Sequence, residues 1–263
     1  MNYSIFSKTA IEAAKKASDI LQEGYTSSYK IFHKDGVHNL VTEYDFLAEK
    51  TIIETIKANY PDHDILSEEK GEINNHSDYK WIIDPLDGTV NFAHRIPAFG
   101  VSIGLAFQGE IIIAAIYLPI TNELFTAEKG QGAYLNSKPI HVSQNENFKE
   151  SFLATGFTYQ LQDNPYGCIE RFVEIIKTPL PLRRIGCAAM DLAYVACGRF
   201  DGFWHTGLGP WDSAAGSLLI TEAGGKISTW DDKPFNVLQS KTLTATNGKI
   251  HAPLCNILKK GLI

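Results

Sequence analysis

Asp84 and Asp87 stand close together in WIIDPLDGTVNF, residues 81–92, separated by Pro85 and Leu86 and preceded by an apolar run. Two carboxylates this close at the mouth of a strand repel each other unless a proton or a hard cation offsets them. Gly88 and Thr89 open a segment that can turn into a helix, and the free backbone N–H groups at such a start can hold an anion. A cation on one side and a phosphate on the other make a site for a phosphate ester. D-P-x-D-G alone is also ordinary turn chemistry. Further carboxylates in similar settings argue for more than a turn: Glu68 and Glu69 follow Ile65-Leu66, and Asp212 follows Trp211 at the head of WDSAAGSLLITEAGG.

The elements that must position these residues fall into two halves. Residues 4–24 carry Phe6, Ala10, Ala13, Ala14 and Ala17 at helical spacing among lysines, and residues 43–59 form a second helix that stops before Pro61. Ile82-Ile83 and the runs 99–107, 111–118 and 124–127 read as strands, with turns at Gln108-Gly109 and at Pro119 to Asn122. This predicts an N-terminal α+β half, residues 1–147, with a largely antiparallel sheet backed by helices. In residues 148–263, helical stretches at 166–177, 187–197, 212–223 and 248–259 alternate with short apolar runs, which predicts a C-terminal α/β half. The polar segment Asn145 to Glu150 marks the boundary, and the halves must pack closely if Asp212 is to meet Asp84.

Composition narrows the class. Hydrophobic residues make up 44% and charged residues 21%, ordinary for a globular chain. The formal charge of −6 disfavours broad attraction to nucleic acid or anionic membranes, and no stretch approaches the roughly 20 apolar residues that span a bilayer. The N-terminus lacks the apolar core of a signal peptide, so a cytoplasmic location is expected. The four cysteines, Cys168, Cys187, Cys197 and Cys255, form no C-x-x-C pair and read as buried thiols. There is no H-E-x-x-H and no G-x-S-x-G, and Gly130-Gln131-Gly132 lacks the spacing of a phosphate-binding loop.

WIIDPLDGTVNFAH resembles the first signature of the lithium-sensitive, magnesium-dependent phosphatases typified by inositol monophosphatase, and WDSAAGSLLITEAGG resembles their second. The similarity runs through NELFTAEKGQGAYLN and AAMDLAYVACGRFDGF and covers nearly the whole chain. It implies an alternating αβαβα sandwich of the inositol monophosphatase and fructose-1,6-bisphosphatase type, Mg²⁺ as cofactor, sensitivity to lithium and a homodimer.

The resemblance also implies roles. Glu68 would bind the first metal with Asp84 and the main-chain carbonyl of Leu86, and Asp84, Asp87 and Asp212 would hold the second, with a third, weaker magnesium near Glu68. A hard cation needs only one or two carboxylates, and two metals can prepare an attacking water and stabilise the leaving oxygen. Thr89 matches the residue that orients the water, linked to the aspartate matched by Asp45. Gly88 and Thr89 supply the phosphate site, and Lys34 matches a lysine on a loop near the metals. Other readings stand beside these: Thr42 and Asp45 fit a helix capping box, Asp212 fits a helix cap, and adjacent glutamates are usually solvated.

The substrate pocket departs from the family pattern. Gly186, Cys187 and Ala188 match the segment that lines it, with Cys187 in place of a commoner hydroxyl residue. Seven residues before Asp212, where the family carries a glutamate that meets substrate hydroxyls, stands His205. A carboxylate accepts hydrogen bonds from a polyol, whereas a neutral imidazole offers one donor and one acceptor. A partly buried histidine with one satisfied nitrogen is the competing reading of His205. The resemblance thus implies a Mg²⁺-dependent monoesterase acting on a small polyol or sugar phosphate. Fructose 1,6-bisphosphate, histidinol phosphate, nucleoside 3′,5′-bisphosphate and NADP(H) are alternatives, and a regulatory protein bound to RNA or the transcription machinery is a reading of another class.

Overall fold

The structure, a computed structural model, describes residues 4–33, 40–158 and 160–261. Two helices and a short hairpin lead: α1 (Ser4–Thr26), β1 (Ile31–His33), β2 (Leu40–Thr42) and α2 (Glu43–Asn59). Then come β3 (Asp64–Ser67), β4 (Gly71–Ile73), β5 (Tyr79–Asp87), α3 (Thr89–Ala93), β6 (Gly100–Phe107), β7 (Glu110–Leu118), β8 (Glu123–Glu128), β9 (Ala133–Leu135) and β10 (Lys138–Ile140). The remainder holds β11 (Leu153–Thr155), α4 (Cys168–Ile176), β12 (Leu182–Arg183), α5 (Ala188–Ala196), β13 (Gly202–Thr206), α6 (Pro210–Glu222), β14 (Lys226–Ser228), β15 (Thr242–Thr246) and α7 (His251–Leu258).

The first sheet has eight strands in the order β10-β9-β8-β7-β6-β5-β3-β4, antiparallel except for the β3/β5 pair. The second has five, β12-β11-β13-β15-β14, with β11 parallel to both its neighbours and β15 antiparallel to both of its own. The α1 alanines 10, 13, 14 and 17, with Leu21, form one fully buried stripe, and their small size lets α1 and α2 lie close over the large sheet. Helices α5 and α6 fill the space between the sheets, and α7 and α4 cover the outer face of the small one. The result is the layered order helix, sheet, helix, sheet, helix that the sequence led us to expect. One apolar cluster runs from Ile116 and Phe125 of the large sheet through Leu192 and Leu219 to Leu243 and Ala245 of the small one, so the layer between the sheets is a common core.

β5 differs from its sequence reading. Trp81, Ile82 and Ile83 are buried as a continuous run, as expected for a strand covered on both faces. The chain does not turn at D-P-x-D. The strand runs on to Asp87, pairing Asp84 with Ser102 and Asp87 with Gly100 across a register shift. Pro85 has no N–H to give the ladder, and a bulge is where a sheet tolerates that. The bulge presents both aspartates at the carboxyl end of the strand.

Candidate active site

At the ends of β3 and β5 and the starts of α3, α5 and α6 lies a cavity of about 340 Å³. Asp84 comes from the β5 bulge and is 1% exposed. Its Oδ1 accepts the Leu86 backbone N–H at 3.0 Å, which fixes the carboxylate against its own strand. The Oδ2 of Asp87 accepts the Ala189 N–H at 2.5 Å and the Cys187 thiol at 3.3 Å, tying β5 to the first turn of α5. Burial pushes that thiol well up, so it stays protonated and donates. Asp212 sits in the first turn of α6, which begins at Pro210, and its Oδ2 accepts the Gly209 N–H at 2.6 Å, so the side chain that the resemblance makes a metal ligand also closes a capping box at the start of the helix.

One carboxylate oxygen from each of Asp84, Asp87 and Asp212 lies within 4.8 Å of the others. Burial raises the pKa of each, to about 6 for Asp87 and well above the usual carboxylate range for Asp84 and Asp212. The charges of Glu68 and of the neighbouring aspartates add to this for Asp84 and Asp212. Among the described residues Arg184 is the one lysine or arginine that lines the cavity, and no carboxylate of those residues forms an ion pair with it. Three converging hard oxygen donors, paired with no lysine or arginine among the described residues, fit a divalent ion of the magnesium type. Glu68 lines the same cavity at the end of β3 but is not one of the three clustered carboxylates.

The Thr42–Asp45 pair forms the capping box, and Asp45 also reaches Thr89. Thr42 caps α2, and Asp45 Oδ2 accepts both the Thr42 N–H at 2.7 Å and its hydroxyl at 2.6 Å. The other oxygen, Oδ1, lies 3.1 Å from Thr89 Oγ1, and the carbonyl of Leu86 lies 3.0 Å from that same hydroxyl. The single Thr89 proton therefore has two acceptors. Burial raises Asp45 to about 6 against the pull of these hydrogen bonds.

Gly88 precedes α3 with φ +90°, and a Cβ there would lie 2.8 Å from the Ala98 carbonyl oxygen. Only glycine makes this junction without strain, and it brings Thr89 under the bulge. Gly186, Cys187 and Ala188 line the cavity as the motif implies, and so does His205 on β13. Half-buried His205 has its pKa lowered to about 4 by desolvation, so the ring is neutral, and its Nδ1 is buried without a hydrogen-bond partner among the described residues. Lys34 lies outside the described residues. Sequence reasoning did not single out Thr158, Arg184 or Asp191 on the cavity wall. Asp191 had a signal: it stands one helical turn after Cys187 inside the AAMDLAYVACGRFDGF segment.

A five-layer αβαβα fold with a carboxylate cavity at the junction of its sheets and central helices defines the class of protein. The chain belongs to the inositol monophosphatase family, whose model matches residues 2–261. It is 44% identical over 233 residues to the inositol-1-monophosphatase of Synechocystis sp., covering 87% of this chain and 80% of that one. It is 40% identical over 243 residues to the Nus factor SuhB of Salmonella typhimurium, covering 92% of this chain and 91% of that one. The solved structure of the inositol monophosphatase from Anabaena superposes with a TM-score of 0.88 at 39% identity, over 99% of this chain and 97% of that one. Among the described residues no helix is long and apolar enough to cross a membrane.

Proposed function

We propose that the chain is a Mg²⁺-dependent phosphomonoester hydrolase acting on a small phosphorylated polyol or sugar. The observation that carries this reading is the convergence of Asp84, Asp87 and Asp212, from two segments far apart in sequence, onto one cavity. Asp84, Asp87 and Asp212, with Glu68 and the Leu86 carbonyl beside them, would hold the metal ions. Bound there, magnesium supplies a water of lowered pKa and charge stabilisation for the phosphoryl group.

The chain's own residues do the rest. With its proton directed to Asp45, the Thr89 hydroxyl keeps its lone pairs for the attacking water and orients that water toward phosphorus. One proton then passes from water to Thr89 Oγ1 and the threonine proton passes to Asp45. The raised pKa of Asp45 suits it to accept a proton near neutral pH. The N–H groups that follow Gly88 offer donors to the phosphate, and Gly186, Cys187, Ala188 and His205 face the alcohol part of the substrate. The family is also the ground for a homodimer and for lithium inhibition.

The relatives named Nus factor SuhB support a second reading, a role as a transcription-associated factor in addition to hydrolysis or in place of it. Phosphate release from inositol, fructose, histidinol, nucleotide and NADP phosphates, with and without magnesium and with Asp87→Asn as control, tests the first reading. Magnesium-dependent release that the variant abolishes supports it. No release from any ester overturns it and moves the second reading to the front.

A further inference from the structure

Asp191 is 1% exposed, and its Oδ1 is buried without a hydrogen-bond partner among the described residues. The other buried carboxylates, those of Asp45, Glu49, Asp64, Asp84, Asp87 and Asp201, each accept at least one hydrogen bond. An acid in the first turn of a helix is favoured by the helix dipole, but Asp191 caps nothing: the buried start of α5 gives its Ala189 N–H to Asp87. Burying a carboxyl oxygen without a partner costs more than the dipole returns, so the missing partner calls for an explanation.

Its position supplies one. The Asp191 N–H bonds to the Cys187 carbonyl at 3.0 Å, and helical side chains lean toward the helix start, which carries this carboxyl group to the cavity wall beside Gly186, Cys187 and Ala188. Among the described residues, it is the one acidic side chain on the cavity wall outside the set that would hold metal. The same wall carries His205 in place of the acid that meets substrate hydroxyls in the family pattern.

We propose that Asp191 is a specificity-determining residue that hydrogen-bonds the hydroxyl groups of a polyol or sugar phosphate, supplying from α5 the acid absent at position 205. This rests on the hydrolase reading above. A carboxyl group matches hydroxyls, which both donate and accept. A phosphate ester without hydroxyls leaves it buried and unpaired, which is the situation that gives an enzyme strong discrimination.

The test compares inositol 1-phosphate with phenyl phosphate on wild type, Asp191→Leu and Asp191→Asn. Leucine removes every hydrogen bond at a similar volume, and asparagine keeps the shape and part of the bonding. We expect Asp191→Leu to lower kcat/KM for inositol 1-phosphate by about 10²-fold or more while phenyl phosphate changes by less than about threefold, with Asp191→Asn restoring most of the loss. A parallel fall for both substrates, or no fall for either, overturns the proposal. Calorimetric binding of inositol 1-phosphate in calcium runs alongside. If no protein releases phosphate, the hydrolase reading fails. Affinity lost in Asp191→Leu and kept in Asp191→Asn would still uphold the recognition role, and equal affinity in all three would overturn it.

Discussion

Thr89 Oγ1 lies 3.1 Å from Asp45 Oδ1, joining the first turn of α3 to the first turn of α2 across 44 positions of sequence. The contact depends on a division of labour within one carboxylate. Oδ2 is occupied by the Thr42 N–H and hydroxyl, and Oδ1 is left to face Thr89. A capping residue is held rigidly by the helix it starts, so the cap also aims the second oxygen.

Asp45→Asn separates the two jobs. Two donors from Thr42 hold the amide oxygen on the capping side, which places the NH₂ group opposite Thr89. That group donates, so the Thr89 proton can go only to the Leu86 carbonyl. We expect kcat to fall by about 10²–10⁴-fold, the range of a lost general base, with magnesium affinity and melting temperature nearly unchanged. Thr89→Ala should lose a similar amount, and the double variant little more, because the pair acts as a unit. Multiplying losses in steady-state kinetics would show that the residues act separately.

Asp87→Asn should trade function for stability. Its amide oxygen can keep the Ala189 N–H, while one negative charge leaves a crowded, buried cluster. We expect the metal-free protein to melt higher than wild type, the magnesium-induced rise in melting temperature to shrink, and phosphate release to drop at least about 10²-fold. Thermal scans in chelator and in magnesium check this. A lower melting temperature in chelator would contradict the repulsion argument.

The cluster also sets a pH dependence. Asp45 and Asp87 titrate at about 6 when folded against 3.8 unfolded. Between those values the folded state holds protons that the unfolded state has released, so metal-free stability falls as pH rises from about 4 through 6. Asp84 and Asp212, also raised, extend the loss upward. Half-buried His205 and buried His251, both lowered to about 4, act in the opposite sense, costing stability as pH falls from 6.5 toward 4. Magnesium binding requires ionised carboxylates at Asp84, Asp87 and Asp212 and so removes their part of the first effect, leaving that of Asp45 and of the histidines. The difference in melting temperature between magnesium and chelator should be small near pH 5 and grow toward pH 8. A difference that is constant with pH would mean that these carboxylates do not take up the ion.

The parts of the fold legible in the sequence were those set by local pattern. The alanine stripe of α1 and the Pro61 stop of α2 are read directly, and α2 ends at Asn59 as expected. β5 was misread at its functional end because Asp-Pro and Asp-Gly favour turns locally, while pairing of Asp84 with Ser102 and of Asp87 with Gly100 holds the strand extended. Tertiary pairing overrode local propensity there. Asp191 looks in sequence like any acid in a first helical turn, and only burial between two sheets reveals that its Oδ1 lacks a partner. At His205 the departure from the family pattern was visible, but its contacts depend on the parallel register of β11 and β13, which no local pattern encodes.

Gly156, just beyond β11, tests that register at the cavity. A Cβ on residue 156 would lie 2.3 Å from His205 Cδ2 and 2.5 Å from its Nε2, so Gly156→Ala must push the imidazole aside. The backbone there has no positive φ, so the substitution acts through crowding alone. Overpacking of this kind costs about 1–3 kcal/mol, a drop of several degrees in melting temperature for a chain of this size. His205→Ala in the same background removes the obstructing ring and should return most of that loss, giving a coupling of about 1 kcal/mol or more in a double-mutant cycle. Because the moved ring also lines the cavity, Gly156→Ala should change the ratio of kcat/KM between inositol 1-phosphate and other esters. Additive stabilities in the cycle would mean that the ring does not sit against Gly156 in solution, and the placement of His205 on the cavity wall would fall with that contact.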